Sequence, residues 1–312
     1  MNRHSTEVKV VKPSRHSTKS EERRAYWLLV LPAVVIYWAV TAFPLFFSII
    51  LSLTNYSGGP IFAFDFKFVG LNNYIRMFKD PYFWISLKNN AYIILVSVFG
   101  QIPLGFIFAY AIFRKLVRFG DFFQTMIYLP AVISPIVVGI LWQTFFSPYG
   151  PLTKIVQHFK PGWRSTFLLD PKRAIIPVLF VILWMYTGTY LIIFLANLQK
   201  FEPSILEAAK IDGATEFQTL WYVILPALSG VIVTTVILAI SGSLKSFNLI
   251  FAMTGGNPAR RTSVLALYMY DTAFRGAPNY PMASAISMFI VMLSIILIIF
   301  TKAVENRYGG RE

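Results

Sequence analysis

The residues able to do covalent or proton chemistry are few. Among 312 residues there are three histidines and no cysteine. Disulfides, thiolate metal sites and a cysteine nucleophile are therefore excluded. His4, His16 and His158 lie outside the apolar runs and read as solvated loop residues, with no ligand cluster among them. No Gly-Lys-Ser/Thr triplet occurs, so nucleotide phosphates cannot be cradled in the Walker manner. HExxH, GxSxG and a strand-linked GxGxxG are missing too, which leaves enzyme chemistry nothing to stand on. All fourteen Asp and Glu residues fall in segments read as loops or tails. Proton-coupled transport usually relies on an intramembrane carboxylate or histidine, so it is disfavoured here. Sodium coupling through backbone carbonyls stays open. One charge does lie inside an apolar run, Lys245. A lysine in lipid is costly unless it meets water or snorkels to the interface, so it is a functional candidate.

The elements that must position these groups are apolar helices. Hydrophobic residues make up 56% of the chain and charged residues 13%, against about a quarter charged in soluble proteins. Lipid is therefore the expected solvent. Six long stretches carry few or no charges: 25–53, 91–113, 122–146, 174–198, 220–253 and 281–301. Each reaches the roughly 20 residues a helix needs to span a bilayer. No alternating ten-residue pattern supports a transmembrane β-barrel. The first run follows Arg23 and Arg24 and is too long for a signal-peptide core, so it reads as an uncleaved helix. Prolines punctuate the runs at Pro32, Pro44, Pro103, Pro130, Pro135 and Pro177, which fits kinked helices around a cavity.

The formal net charge of +14 is spread over the loops and the N-terminal tail. Contact with anionic headgroups and control of topology explain it better than nucleic acid, for which no recognition motif is present. The basic turn 114–121 and the Arg23–Arg24 pair both favour the cytoplasmic side, giving N-in and C-in.

Between the fourth and fifth runs, residues 201–226 are too polar to span and too patterned to be a linker. Pro203 suits the first turn of a helix, and Glu202 and Glu207 sit toward its positive end. Gly213 suits a left-handed stop. Thr215 with Gln218 three residues on forms a capping-box pattern for a second helix. Two short helices meeting at a glycine turn are expected, with Ala208, Ala209, Gly213 and Ala214 as a close-approach surface. On physical grounds docking to another protein and packing on the bundle weigh evenly.

Glu207-Ala208-Ala209-x-x-Asp212-Gly213-Ala214, ending in Leu225-Pro226, resembles the EAA loop of ABC importer permeases. Leu220 and Val223 stand where that family often has Phe and Ile. Val69-Gly70-Leu71-Asn72-Asn73-Tyr74 and Asp80-Pro81-Tyr82-Phe83-Trp84 resemble the outer loop of carbohydrate-type permeases. Thr254-Gly255-Gly256-Asn257-Pro258 is similar to their Thr-Gly-Gly-Gly-Pro turn, with Asn257 expected to take positive φ in place of Gly. The likeness covers about residues 25–305 and is closest to maltose-type permeases without their large periplasmic insertion.

The resemblance implies an all-α integral membrane protein of six transmembrane helices, N-in and C-in, with the type I ABC importer permease fold. It implies a basic cytoplasmic tail at 1–24, a first helix and outer loop at 25–86, a five-helix core at 87–302 and a C-terminal tail at 303–312. The loop with Glu207, Ala208, Ala209, Asp212, Gly213 and Ala214 becomes the coupling helix that sits in an ATPase cleft. ATP and Mg belong to that partner, and this chain binds no cofactor and does no catalysis. The implied partners are a second, different permease, two ATP-binding subunits, an extracytoplasmic substrate-binding protein and membrane lipid, in a bacterial or archaeal inner membrane.

The implied cargo is a carbohydrate, whose passage needs hydroxyl and amide groups beside aromatic planes. The fourth run offers Trp184, Tyr186, Thr187, Thr189 and Tyr190; the fifth offers Ser241, Ser243, Ser246 and Asn248 near Phe247. Positions matching sugar contacts in maltose-type permeases include Met185, Tyr186, Thr189, Ser243, Ser246 and Asn248. Similar permeases often carry Ser-Leu-Lys at 243–245, so Lys245 is as much a structural candidate as a cargo contact. Two other readings stand behind this one: a permease for a glycerol phosphate or polyol, and an ion-coupled secondary transporter.

Overall fold

A computed structural model describes residues 18–56 and 67–308. His4, His16 and most of the basic tail lie outside the described residues. Among the described residues the chain is helical, apart from one isolated bridge between Thr54 and Phe68.

The chain divides into two compact units, Met1–Ile50 and Leu51–Glu312. The first is a helical rod: α1 (Thr18–Tyr37), a π-helical turn (Trp38–Ala42) and the start of α2 (Phe43–Ser52). The second unit begins with α3 (Asn72–Lys79) and α4 (Pro81–Val96), then a π-turn (Ser97–Gln101) and α5 (Ile102–Phe113). Next come α6 (Gly120–Val132), α7 (Pro135–Phe145), α8 (Pro151–Phe159) and α9 (Ile175–Leu198). After α9 stand α10 (Pro203–Ile211) and α11 (Glu216–Thr219), a π-turn (Leu220–Ile224) and α12 (Leu225–Ala227). The unit closes with α13 (Ser229–Leu244), α14 (Asn248–Met253), α15 (Leu265–Phe274) and α16 (Tyr280–Tyr308).

The π-turns have a common sequence cause. Each ends one residue before an X-Pro pair: Phe43-Pro44, Ile102-Pro103 and Leu225-Pro226. Proline lacks the N–H of the i→i−4 bond, and its ring clashes with the carbonyl one turn back. A π-turn widens the helix at that point and re-pairs the backbone; Ile102 N–H, for example, bonds to the Ser97 carbonyl.

Four helices are long and apolar enough to cross a membrane: Tyr26–Ser52, Pro81–Phe113, Ile175–Leu198 and Tyr280–Val304. Two bent pairs raise the number to six if each pair is one span. The apolar run 122–146 is thus not one straight helix. It breaks at Ile133–Ser134, and α6 and α7 meet at 96°. The residue before a proline is pushed out of the α region, and Ser134, before Pro135, has ψ 129°. The run 220–253 bends by 67° at Leu228 and breaks again after Leu244. The second span starts at Pro81, ten residues earlier than its apolar run, because Asp80 Oδ1 caps it by accepting from Tyr82 N–H at 2.9 Å.

Helix α15 and the exposed His158 correct two loop assignments. His158 sits in the last turn of α8. Asp271, read as a loop acid, is only 8% exposed on α15 and pairs with Arg275 at 3.1 Å. Burial raises its pKa above the usual carboxylate value against the opposing pull of Arg275 and Arg260. Tyr268, on the same helix, donates to Asp80 Oδ2 at 2.6 Å; burial and that carboxylate push its phenol up. The turn after α14 also departs from expectation. Gly255 and Gly256 take positive φ, but Asn257 does not; the left-handed angles fall instead at Ala259 and Arg260, after a cis Asn257-Pro258 bond.

Helices pack closely where side chains vanish. A Cβ on Gly188 of α9 would stand 2.4 Å from the Ile127 carbonyl oxygen of α6, and one on Gly105 of α5 would stand 2.7 Å from Tyr190 Cβ of α9. Small residues at crossings are the usual device for helix association in lipid. Around α9 the core forms in two clusters. One holds Ile182, Met185, Leu249, Ile250, Met253 and Leu267; the other holds Leu191, Phe194, Leu198 and Ile224.

Candidate functional site

Two features stand out: a largely apolar cavity with several polar side chains in its wall, inside the second unit, and a capped helical hairpin on that unit's surface. The cavity measures about 310 Å³. Helix α9 contributes Ile182, Tyr186, Thr189, Tyr190 and Ile193, spaced as one face of a 3.6-residue helix. The π-turn before α5 contributes Ser97 and Gln101, and the end of α13 contributes Ser243. Lys245, Ser246 and Phe247 come from the break between α13 and α14, and Asn248 from the first position of α14.

Six of the eight expected pathway residues line this one cavity: Tyr186, Thr189, Ser243, Lys245, Ser246 and Asn248. The other two do not reach it. Met185 is fully buried in the first core cluster, and Trp184 faces outward, edge-on to Trp142 at 5.4 Å. Neighbours on a helix point about 100° apart, so 184 and 185 leave the face that 186 and 189 share. Thr187, also a candidate by type, spends its hydroxyl on the Leu183 carbonyl at 2.6 Å.

Lys245 is not mid-helix. It caps α13 with ψ 1°, is exposed, and lines the cavity. Among the described residues, no carboxylate lies within salt-bridge distance of it. The break thus places the lysine at the cavity.

Sequence reasoning missed the polar groups on the second span. Asn90 Nδ2 donates to the Ser243 carbonyl at 2.8 Å, and its Oδ1 accepts from Leu265 N–H at 2.8 Å. Asn89 Nδ2 donates to the carbonyls of Arg261 and Ser263, both at 2.8 Å. Gln101 Nε2 donates to the Ile182 carbonyl at 2.7 Å, and Ser243 Oγ donates to Ser97 Oγ at 3.3 Å. These side chains tie the second span to α9, to the last turn of α13 and to the turn before α15 through backbone carbonyls. The available signal was a cluster of amides beside an apolar run, which reads from sequence as its boundary.

The hairpin has the expected chemistry. Pro203 opens α10, and Gly213, at φ +78°, ends it. Gly213 N–H bonds to the Lys210 carbonyl at 3.2 Å and Ala214 N–H to the Ala209 carbonyl at 3.0 Å, a Schellman stop. Thr215 and Gln218 then form a reciprocal capping box. Glu207, Ala208, Asp212 and Gly213 are exposed, and Ala209 and Ala214 half-buried. Ile211 and Phe217 beside them are 85% and 68% exposed, while Leu206 turns inward onto the second core cluster. Arg114, at the end of α5, pairs with Glu216, and Tyr110 donates to the same carboxylate at 3.4 Å. The basic turn after α5 and the hairpin therefore lie at the same end of the unit.

Known proteins share this chain's sequence and fold. Residues 101–310 match the family described as binding-protein-dependent transport system inner membrane component. The lactose transport system permease protein LacF of Rhizobium radiobacter is 33% identical over 90% of this chain and 95% of its own length. The multiple sugar-binding transport system permease protein MsmF of Streptococcus mutans is 32% identical over 89% of this chain and 96% of its own. A chain in the crystal structure of a bacterial ABC transporter that imports the acidic polysaccharide alginate superposes with a TM-score of 0.80. It covers 95% of this chain and all of that one, at 22% identity.

Proposed function

The chain belongs to the family of binding-protein-dependent transport system inner membrane components, and from that premise we propose that it forms half the translocation path of an ATP-driven carbohydrate importer. One observation carries the mechanism. Residues 215–244 run from the exposed hairpin, through a π-turn and the bend at Leu228, to the end of α13, where Ser243 and Lys245 meet the cavity. A push on the hairpin is delivered along this line to the cavity wall.

In this reading each bent pair counts as one span, giving six, with both termini and the hairpin in the cytoplasm. Residues 1–24 form a basic tail and 87–302 the core. A substrate-binding protein delivers sugar from outside. Two ATP-binding subunits, which use ATP and Mg, grip Glu207, Ala208, Ala209, Asp212, Gly213 and Ala214. Their closure reorients the core, and a second, different permease completes the path. Tyr186 supplies an apolar plane for sugar C–H faces, and Thr189, Ser243, Ser246 and Asn248 supply hydrogen bonds to hydroxyls. The relatives named for lactose and for multiple sugars support a carbohydrate cargo.

A second cargo reading rests on Lys245. A cation in the cavity with no carboxylate beside it among the described residues suits an anion, such as an acidic sugar or a sugar phosphate. The test of the overall proposal is reconstitution in proteoliposomes. Labelled sugar should enter only when the binding protein, the partner permease, the ATPase and ATP are all present. ATP hydrolysis by the purified chain alone, or uptake without the ATPase, contradicts it.

A further inference from the structure

We infer that Gln101 Oε1 and the Tyr190 hydroxyl form a hydroxyl-selecting end of the cavity and set which sugars pass. The inference rests on the carbohydrate reading above and adds two residues to it. Both line the cavity, and both are almost wholly buried, Gln101 at 1% exposed and Tyr190 at 7%. The Ile182 carbonyl fixes the Gln101 amide. Nε2 donates to it at 2.7 Å, and a carbonyl only accepts, so Oε1 is turned away from that bond. Oε1 has no protein donor among the described residues, and the Tyr190 hydroxyl has no protein partner there either. Neither atom is sealed off from open space, and the open space that both side chains border is the cavity.

Backbone contacts hold both groups in place. Gln101 closes the π-turn before α5, and Tyr190 stands where α9 crosses Gly105 of α5. A Cβ on Gly105 would lie 2.7 Å from Tyr190 Cβ, so the two helices touch there. Gln101 and Gly105 are four residues apart and share a face, which puts both side chains on one α5–α9 contact. The Tyr190 ring packs in the second core cluster, and the Gln101 amide is anchored at Nε2. Neither can swing to another partner without losing that anchor. Ser97, on the same π-turn and 3% exposed, accepts from Ser243 at 3.3 Å and keeps its own proton to donate.

An amide oxygen only accepts, so it needs a ligand that brings a donor. A sugar hydroxyl does. An ionised phosphate or carboxylate oxygen only accepts, and is repelled there. The Tyr190 hydroxyl both donates and accepts, and suits a second hydroxyl of the same sugar. A buried acceptor left without a donor carries a penalty. A site of this kind therefore rejects an analogue lacking the hydroxyl far more strongly than an apolar wall does. Lys245 is the cavity's place for an anion; the Gln101 end takes neutral hydroxyls.

The test crosses chain variants with sugar analogues in proteoliposomes that hold the whole complex. The sugar taken up by the native complex is compared with its monodeoxy analogues, one hydroxyl removed at a time. The chains are native, Gln101→Met and Tyr190→Phe. The readout is the uptake rate of the sugar divided by that of each analogue. The binding protein's own preferences cancel when these ratios are compared between chains, because the same protein feeds each. The ratio should fall about tenfold at one hydroxyl position in each variant and stay within about twofold at the others. Tyr190→Phe removes a hydroxyl that holds no protein partner, so it carries the test even where Gln101→Met fails to insert. Ratios unchanged at every position in Tyr190→Phe, or in an inserted Gln101→Met, overturn the inference and leave these atoms to bound water. Ratios lowered equally at all positions overturn it too, and make the residues structural. A native complex that takes up no carbohydrate overturns the functional reading instead, and shows before any variant is compared.

Discussion

Asn90→Ala removes a clamp on the cavity wall. Asn90 is 1% exposed, and its amide joins the last turn of α13, through the Ser243 carbonyl, to the first N–H of α15. The first N–H groups of a helix have no partner within it, so Leu265 N–H depends on this side chain. Each buried backbone group left unpaired costs about 1–3 kcal/mol. Side-chain hydrogen bonds in lipid average only about 0.6 kcal/mol, because the unfolded chain in the membrane finds other partners. Leu265 N–H loses its partner, the Ser243 carbonyl keeps only the Ser246 N–H at 3.3 Å, and a void is left behind, together about 2–4 kcal/mol. Asn197→Ala is the matched control. Asn197 Nδ2 bonds only the Ile193 carbonyl of its own helix, at 2.8 Å, and its loss should cost under about 1 kcal/mol. Both variants are unfolded by SDS in mixed micelles and followed by tryptophan fluorescence. Equal losses, or a greater loss at Asn197, refute the reasoning from partners.

Three further outcomes follow from the geometry. Gly188→Ala sets a methyl against the backbone of Ile127 and Tyr128, which cannot swing aside, so α6 and α9 must part at a cost of about 1–3 kcal/mol in the same unfolding assay. Lys245→Gln should leave KM for a neutral sugar within about threefold; if the cargo is anionic its uptake should collapse, and unchanged uptake of a charged cargo sinks the anion reading. Asp271→Asn tests a linkage: burial raises the folded pKa above the ordinary 3.8, so the stabilising protonated form is lost as pH climbs through the raised value, and native stability declines over that window. Melts from pH 4 to 8 should show that decline in the native chain and a flat profile in the variant.

The sequence disclosed most where structure is local. Pro203, Gly213 and the Thr215–Gln218 box act over three to five residues, and each sits where its chemistry placed it. The long apolar runs were equally legible as helices. What stayed hidden depends on contacts between distant segments. Pro135 signals a kink, but nothing local makes that kink 96°. Asn89 and Asn90 read as the edge of a span because their partners lie more than 150 residues away. Helix α15 escaped notice because Asp271 and Arg275 interrupt its apolar pattern, while their mutual pairing is what makes the burial tolerable. On α9 the 3.6-residue period was visible, but its face was not: Tyr186 and Thr189 meet the cavity and Trp184 and Met185 turn away.

The central claim is that the hairpin drives sugar through this chain, and Gly213→Pro probes it most directly. Gly213 has nothing within 4 Å of where a Cβ would stand, so crowding does not confuse the result. Proline would force φ from +78° to about −65° and delete the N–H that closes α10. The measurement is uptake of a labelled panel of mono-, di- and oligosaccharides and glycerol phosphates in cells carrying the native or variant chain, with membrane insertion checked in both. Loss of one carbohydrate's uptake while the variant still reaches the membrane is the predicted result. Unchanged uptake of every compound would contradict the coupling role of the hairpin.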